Sequence, residues 1–316
     1  MNEETELLAV RAAELYYEDG KTQDEIGAIL RLTRWKVGRL LTQAKEAGFI
    51  RIEIVHPRAR RLPLERSLKQ RFGLHDAVVV PSTGAASEPE LRRRVAAGAA
   101  EYLTGLRPVP RTLGLSWGRT MHDIADQFAE GWANGVNVVQ VNGGVSLNRR
   151  ASNAASTAVS IAQKAGGSAT LLPSPAILEE RTTREAIESD RTVAGVLETA
   201  RGANAYLFSA GAVDERSVLV ESGYLSSDDV GALVRKGAVA DVLGRFIDAD
   251  GNIIDPALDA RTLGISIETI RQAEVAIAVI AGEAKHDICR VIVASGLCSV
   301  LVTDDATAMH LLDAQP

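Results

Sequence analysis

Two sets of residues in this sequence combine side-chain types and spacings suited to chemistry on anions. The first is Thr33, Arg34, Trp35, Lys36 and Arg39, with Gln23 upstream. Such cations and amides at helical spacing meet phosphate oxygens and base edges in a DNA groove. The second set lies in turns that follow apolar runs. Ser116, Trp117, Gly118, Arg119 and Thr120 follow TLGL; Gln140, Asn142, Gly143 and Gly144 end VNVVQVNGG; Gly282, Glu283, Ala284 and Lys285 follow EVAIAVIA. Gly118 permits close backbone approach, helix N–H groups there can bind an anion, and Arg119 and Thr120 add donors. Lys285 supplies a point charge for phosphate, and the amides suit sugar hydroxyls. Asp241 is suited to accepting from hydroxyls, with Arg245 four residues on. Each has a plainer use. Gly-rich turns pack parallel sheets, Asp241 and Arg245 could pair along a helix, and Glu283 could face a helix dipole.

No metal or cofactor is expected. The five histidines (His56, His75, His122, His286, His310) show no HxxxH or HExxH spacing, and Cys289 and Cys298 form no CxxC pair in their apolar surroundings.

The first set needs a helical frame, and the sequence supplies one. Apolar groups at Leu7, Leu8, Val10, Leu15 and Tyr16 predict a first helix that ends near Tyr17, before Asp19-Gly20. Thr22 and Glu25 make a capping box that opens a second helix over 23–30, with Ile26, Ile29 and Leu30 inward. Thr33 caps a third, on which Val37, Leu40, Leu41 and Ala44 recur until Gly48. Two short helices around a tight turn, the second basic at its start, predict a helix-turn-helix. FIRIEIV, 49–55, alternates like a strand and predicts a wing. The whole chain carries a net charge of -6, yet residues 31–61 hold nine basic and two acidic residues. A basic block inside an acidic protein fits a DNA partner.

The second set needs a sheet. Beyond Pro57, a basic and partly helical stretch with Leu62, Leu64 and Leu68 reads as a linker. Strand-like runs then alternate with helical stretches, including 88–106, 118–129, 152–165, 183–200 and 226–243, with a hairpin at Asp250-Gly251. That alternation predicts a Rossmann-like, mostly parallel α/β domain with both faces covered. The expected organisation is 1–56 for DNA binding, 57–72 as linker and 73–316 for an effector. Apolar runs such as 275–281 are too short to span a membrane, and MNEETELLAV lacks signal-peptide character, so a cytoplasmic protein is expected.

The run LYYEDGKTQDEIGAILRLTRWKVGRLLTQAKEAGFIRIEIVHP resembles the DNA-binding segment of SorC-type bacterial regulators, the sorbitol-operon and deoxyribonucleoside-operon family. It departs at Thr33, Lys36 and Gly38, where relatives usually carry Ser, Thr and Ser. GLSWGRTM, VVQVNGG, LLPSPAI, ADVLGRFIDADGNI, RTLGIS and GLCSVLVTDDATA are similar to the effector-binding domain of the same family. The resemblance implies a domain like a sugar-phosphate isomerase that binds a phosphosugar or sugar, with the phosphate at Gly118 to Thr120 and Lys285. Some relatives that respond to deoxyribose phosphate have Lys at the place of Asn142; an amide cannot form the Schiff base that Lys allows.

The function expected is a sugar-responsive regulator, a repressor of a carbohydrate or nucleoside catabolic operon, that acts on double-stranded operator DNA as a homodimer or homotetramer without a membrane partner. The rival is a phosphosugar isomerase with an accessory DNA-binding domain, which would need a positioned base, usually a carboxylate or His, with Asp241 and Glu283 as candidates.

Overall fold

Side-chain caps decide where the first helices begin. The computed structural model describes residues 3–50, 60–144 and 154–313. In it α1 runs Glu3–Tyr17, α2 Gln23–Leu30 and α3 Arg34–Glu46. Thr22 Oγ1 accepts from the Glu25 N–H, and the Glu25 carboxylate accepts from the Thr22 N–H at 2.8 Å, so the expected box closes reciprocally. Thr33 Oγ1 accepts from the Lys36 N–H at 3.3 Å and opens α3. Between α2 and α3 the chain turns at Arg31, φ 55, whose N–H reaches the Gly27 carbonyl. A Cβ on Gly27 would stand 2.7 Å from the Leu32 carbonyl oxygen, so glycine lets the turn fold back on its helix.

Val37, Leu40, Leu41 and Ala44 are buried as expected, against Ala9, Ala12, Ala13, Leu15 and Ile26. The inward face of α1 differs from the one read in the sequence. Leu7, Val10 and Tyr16 are exposed, as is Ile29 of α2. Alanines face the core because α1 packs on both neighbouring helices, where small side chains allow a close approach. The wing expected over 49–55 lies outside the described residues from 51 onward.

The chain divides into two units, Met1–His56 and Pro57–Pro316. The second opens with α4, Leu62–Phe72, inside the stretch expected as a linker. This helix is part of the unit rather than a spacer. Leu68 is fully buried, and the buried Glu65 carboxylate accepts from the Val79 N–H at 2.9 Å and from Arg60 Nε and Nη2 at 2.8 Å.

After α4 come β1 (Asp76–Val80), α5 (Glu88–Gly105), β2 (Thr112–Leu115), α6 (Arg119–Gln127), β3 (Asn137–Gln140), α7 (Ala154–Lys164) and β4 (Ser168–Thr170). α8 (Arg181–Ser189), α9 (Arg191–Arg201), β5 (Ala205–Phe208), β6 (Ala210–Ala212), α10 (Val218–Glu221), α11 (Ser227–Arg235), β7 (Ala240–Val242) and β8 (Arg245–Ile247) follow. The unit closes with α12 (Pro256–Asp259), α13 (Ile267–Arg271), β9 (Ala276–Val279), α14 (His286–Ala294), β10 (Val300–Asp304) and α15 (Asp305–Asp313). Seven strands form a parallel sheet in the order β1-β10-β9-β5-β2-β3-β4. Successive strand residues feed opposite cores, Ala77 and Val79 on one face with Phe208 and Leu301, Val78 and Val80 on the other with Leu113 and Leu207. Winding runs from β2 through β3 to β4 on one side and returns through β5 on the other. A crevice therefore opens beyond the carboxyl ends of β2 and β5.

The helix expected over 226–243 ends at Arg235, since Gly237 takes φ 96. Residues 240–242 are instead the middle strand of a small antiparallel sheet, β6-β7-β8. Leu243 (φ 58) and Gly244 (φ 83) make its tight turn, so Asp241 and Arg245 are not neighbours on a helix. Cys289 and Cys298 are buried, and burial pushes both thiols up, Cys298 to about 12. Among the described residues no helix is long and apolar enough to cross a membrane, and no cluster of metal-ligating side chains occurs.

Gly114, central in β2, has no room for a side chain: a Cβ would lie 2.5 Å from Tyr206 Cδ1 and 2.8 Å from Val141 Cγ1. Gly114→Ala is expected to destabilise the larger unit by about 1–3 kcal/mol, read as a lower urea midpoint. An unchanged midpoint contradicts this packing.

Candidate functional site

The smaller unit presents one surface suited to a polyanion. α3 buries Val37 and Leu40, which leaves Arg34, Trp35, Lys36 and Arg39 exposed on its other side. Trp35 is 74% exposed, the opposite of a core tryptophan, and the Arg39 guanidinium lies 5.5 Å from its ring centroid. Arg34 stands 3.7 Å from the equally exposed Asp24, a contact that water and salt weaken. Thr33 is the cap of α3. Gln23 lies over Gly38, where a Cβ would come within 3.3 Å of Gln23 Oε1, so this glycine makes space for the Gln23 side chain against α3.

The larger unit holds a cavity of about 800 Å³ at the carboxyl ends of β1, β2, β5 and β9, with the β6-β7-β8 sheet contributing to its wall. Ser116, Gly118, Arg119, Thr120, Asn142, Asp241 and Lys285 all line it, so residues 169 positions apart in the sequence converge. Gly118 at φ 130 precedes α6 with no side-chain cap, which leaves the first amides of that helix for a ligand. Gly282, φ 94, plays the matching part before the turn 283–285.

Three of the residues expected here do other work. Gln140 Oε1 accepts from the Leu172 N–H at 3.0 Å; Gly143 packs on Pro175, whose carbonyl oxygen a Cβ would meet at 2.2 Å; Gly144 accepts from the Tyr224 hydroxyl at 3.0 Å. They brace the wall and do not line the cavity. Arg245 also points elsewhere. Its guanidinium pairs with Asp259 and donates to the Ile265 carbonyl at 3.1 Å. The hollow of about 320 Å³ beside it has Arg184 and Arg201, which share Glu188, and Arg184 also stands 3.6 Å from Glu185, so each cation there has a carboxylate partner among the described residues.

The cavity has uncompensated groups in quantity. Of seven buried side-chain polar atoms without a partner among the described residues, four line it: Trp117 Nε1, Asn142 Nδ2 and Oδ1, and Ser209 Oγ. Asn142 is 1% exposed. Such atoms cost free energy unless something supplies their hydrogen bonds. Asp241 Oδ1 accepts from the Gly244 N–H at 2.7 Å, and Oδ2 lies where a side chain on Gly211 would crowd it, at 3.2 Å from the Cβ position. Burial pushes the Asp241 carboxyl up to about 7, against the Gly244 N–H and the Lys285 charge. Lys285 Nζ donates to the Ala210 carbonyl at 2.8 Å; burial and the repulsion of Arg119 lower its proton affinity. An anion would relieve that repulsion.

The sequence reading missed Ser82, Glu88, Arg92, Ser209 and Arg216, which also line the cavity. Ser209 directly follows β5 and obeys the same carboxyl-end rule as Ser116, so that rule would have found it. Arg92 lies on α5 and is held by Asp123 at 2.5 Å; Arg216 is positioned by tertiary folding, where its carbonyl accepts from Arg119 Nη2 at 3.1 Å.

Residues 56–313 match the family described as "Putative sugar-binding domain". The chain is 31% identical over 315 residues to the deoxyribonucleoside regulator of Bacillus subtilis (strain 168), with 99% of each chain covered. It is 31% identical over 311 residues to the transcriptional regulator LsrR of Klebsiella pneumoniae subsp. pneumoniae, covering 97% of this chain and 93% of LsrR. The full-length sorbitol operon regulator SorC from Klebsiella pneumoniae superposes with a TM-score of 0.73 at 28% identity, covering 97% of this chain and 98% of SorC. These relatives are named as regulators, and the isomerase reading is set aside.

Asp241 gives the cavity a measurable signature. With its carboxyl at about 7 in the folded chain and the ordinary 3.8 when unfolded, the folded state binds the proton more tightly. Its contribution to stability is fully present below the unfolded value and is lost as pH rises through about 7. Asp241→Asn is expected to flatten this fall and to be more stable than the wild type at mildly alkaline pH, by an amount on the order of a few kcal/mol. Urea unfolding across the range checks it; parallel pH profiles for the two proteins contradict it.

Proposed function

The chain belongs to the SorC family of transcriptional regulators with a sugar-binding domain, and on that premise we propose that it is a cytoplasmic repressor of a carbohydrate or nucleoside catabolic operon. Residues 1–56 grip operator DNA, and a sugar phosphate in the cavity of the larger unit weakens that grip. The single observation that carries the effector reading is the set of partnerless buried atoms on Trp117, Asn142 and Ser209 around the same space as Lys285 and Asp241. An apolar ligand would leave them unpaired; a polyhydroxylated one satisfies them.

The lining residues divide the ligand between them. Gly118, Arg119, Thr120 and Lys285 take the phosphate, through helix amides, a hydroxyl and cations. Asn142 offers both a donor and an acceptor to sugar hydroxyls, and Asp241 accepts from one when ionised or donates to one when protonated. No step of this scheme is covalent, and no cofactor is required.

On DNA, Arg34, Lys36 and Arg39 meet phosphates and base edges from the start of α3, Trp35 lies beside them, and Gln23 and Thr33 steady the helix. One such head reads few bases, so the chain acts as a homodimer or homotetramer on repeated half-sites. Light scattering should then find no monomer at micromolar concentration; a monomer with and without operator contradicts the assembly.

Two experiments test the sites. In calorimetric titrations with matched phosphorylated and free sugars, the wild type should prefer the phosphates, and Lys285→Ala and Thr120→Val should each weaken them. Equal affinity for the free sugars, or two silent variants, sinks the phosphate assignment. In salt-dependent binding to a duplex selected by the wild type, Lys36→Ala should alter base preference by about 1–3 kcal/mol if Lys36 reads an edge, and lower the salt slope if it meets phosphate. Unchanged binding when Arg34, Lys36 and Arg39 are all replaced by Ala rules out α3 as the DNA-contacting helix.

A further inference from the structure

The run VTDDATA carries two adjacent buried carboxylates, Asp304 at the end of β10 and Asp305 at the start of α15, and both reach turns that line the effector cavity. Asp304 Oδ2 accepts from the Gly282 N–H at 2.8 Å and from Thr307 Oγ1 at 2.6 Å, and its Oδ1 accepts from the Thr307 N–H at 2.9 Å. Asp305 Oδ1 accepts from the Ser82 N–H at 2.7 Å. Gly282 and Ser82 are both cavity residues. One strand end therefore tethers two separate stretches of the cavity wall.

The second oxygen of Asp305 faces a different destination. Oδ2 accepts from Arg61 Nε at 3.2 Å, while the Arg61 N–H donates to the Val79 carbonyl at 2.8 Å. Its neighbour Arg60 is gripped by Glu65 and donates to the Ala77 carbonyl at 3.0 Å. Arg60 and Arg61 are the first described residues after 51–59, the stretch by which the chain continues from Met1–His56. Residues 244 apart in sequence are thus joined by one carboxylate at the point where the larger unit begins.

We propose that Asp305 is a positioning residue for regulation, which couples the 82–87 rim of the cavity to residues 60–61 at the junction with the DNA-binding unit. A carboxylate is planar and rigid, and here both oxygens are committed. It cannot follow a displacement of the Ser82 N–H without changing its hold on Arg61. Because the group is buried, a loosened partner is not replaced cheaply by water, so both contacts shift together. Burial opposes the charge on Asp305, yet the hydrogen bonds from Ser82 and the Arg61 guanidinium keep its carboxyl below the usual range, and it is ionised at neutral pH. The proposal takes from the effector-cavity reading only the identity of what moves the rim.

The test is hydrogen exchange by mass spectrometry on the full chain. Arg61→Gln is expected to speed exchange severalfold in 82–87, and Asp305→Asn to do so in both 60–66 and 82–87. The double variant should match Asp305→Asn alone, since both act through one bridge. A peptide from α7, 154–164, should keep its wild-type rate in every variant, which a general loss of stability would not allow. The proposal is overturned if Arg61→Gln leaves 82–87 at the wild-type rate, if the two substitutions add, or if 154–164 accelerates equally. Inorganic phosphate added to the wild type is read separately: protection of 118–122 and 283–286 tests the phosphate end of the cavity, and its absence counts against that reading and not against the bridge.

Discussion

The larger unit is organised around a cost: polar groups buried at the carboxyl edge of a parallel sheet without protein partners. Trp117 Nε1, both amide atoms of Asn142 and Ser209 Oγ all face this penalty in one place, where Asp241 is held far from its ordinary ionisation and Lys285 is crowded by Arg119. Unpaired buried groups are tolerated where a ligand completes them. The fold concentrates these groups because its winding reverses between β2 and β5, which leaves room beyond the strand ends. The β6-β7-β8 sheet then places Asp241 in the wall of that space, on a strand whose tight turn requires positive φ at Leu243 and Gly244.

Much of this was legible in the sequence, for reasons that differ between elements. Caps are local chemistry, so Thr22 with Glu25, and Thr33, place the starts of α2 and α3 correctly. Strands buried on both faces announce themselves as continuous apolar runs, and the turns after them pointed to Gly118, Thr120, Asn142 and Lys285. What failed was non-local. Of the large apolar residues on α1, Leu15 and Leu8 reach the core, but close helix packing fills the rest of that face with alanines and leaves Leu7, Val10 and Tyr16 exposed. Asp241 and Arg245 share a spacing that suits a helix, and only the antiparallel pairing of β7 and β8 separates one into the cavity and the other onto Asp259. Gln140, Gly143 and Gly144 lie in a turn of the right kind but are used by neighbouring backbone and the Tyr224 hydroxyl.

The stretch read as a linker carries a further lesson. Of its three leucines Leu68 is core, Leu64 packs against that core and Leu62 is exposed, while Glu65 is locked by Arg60 and the Val79 amide. From Arg60 and Arg61 onward the chain is docked on β1, the edge strand of the larger unit's sheet. Asp305 makes that docking answerable to the cavity wall.

The central claim is that occupancy of the cavity and grip on DNA are one linked equilibrium. Linkage is reciprocal, so it can be read from either end. The most direct measurement is fluorescence anisotropy of the full chain on a duplex selected from a random library, titrated with and without each member of a panel of pentose and hexose phosphates and their free sugars. The account predicts that at least one phosphate, and not its free counterpart, weakens DNA affinity by roughly fivefold or more, and that saturating duplex weakens that phosphate by the same factor. A phosphate that binds the cavity tightly and leaves DNA affinity untouched would contradict it.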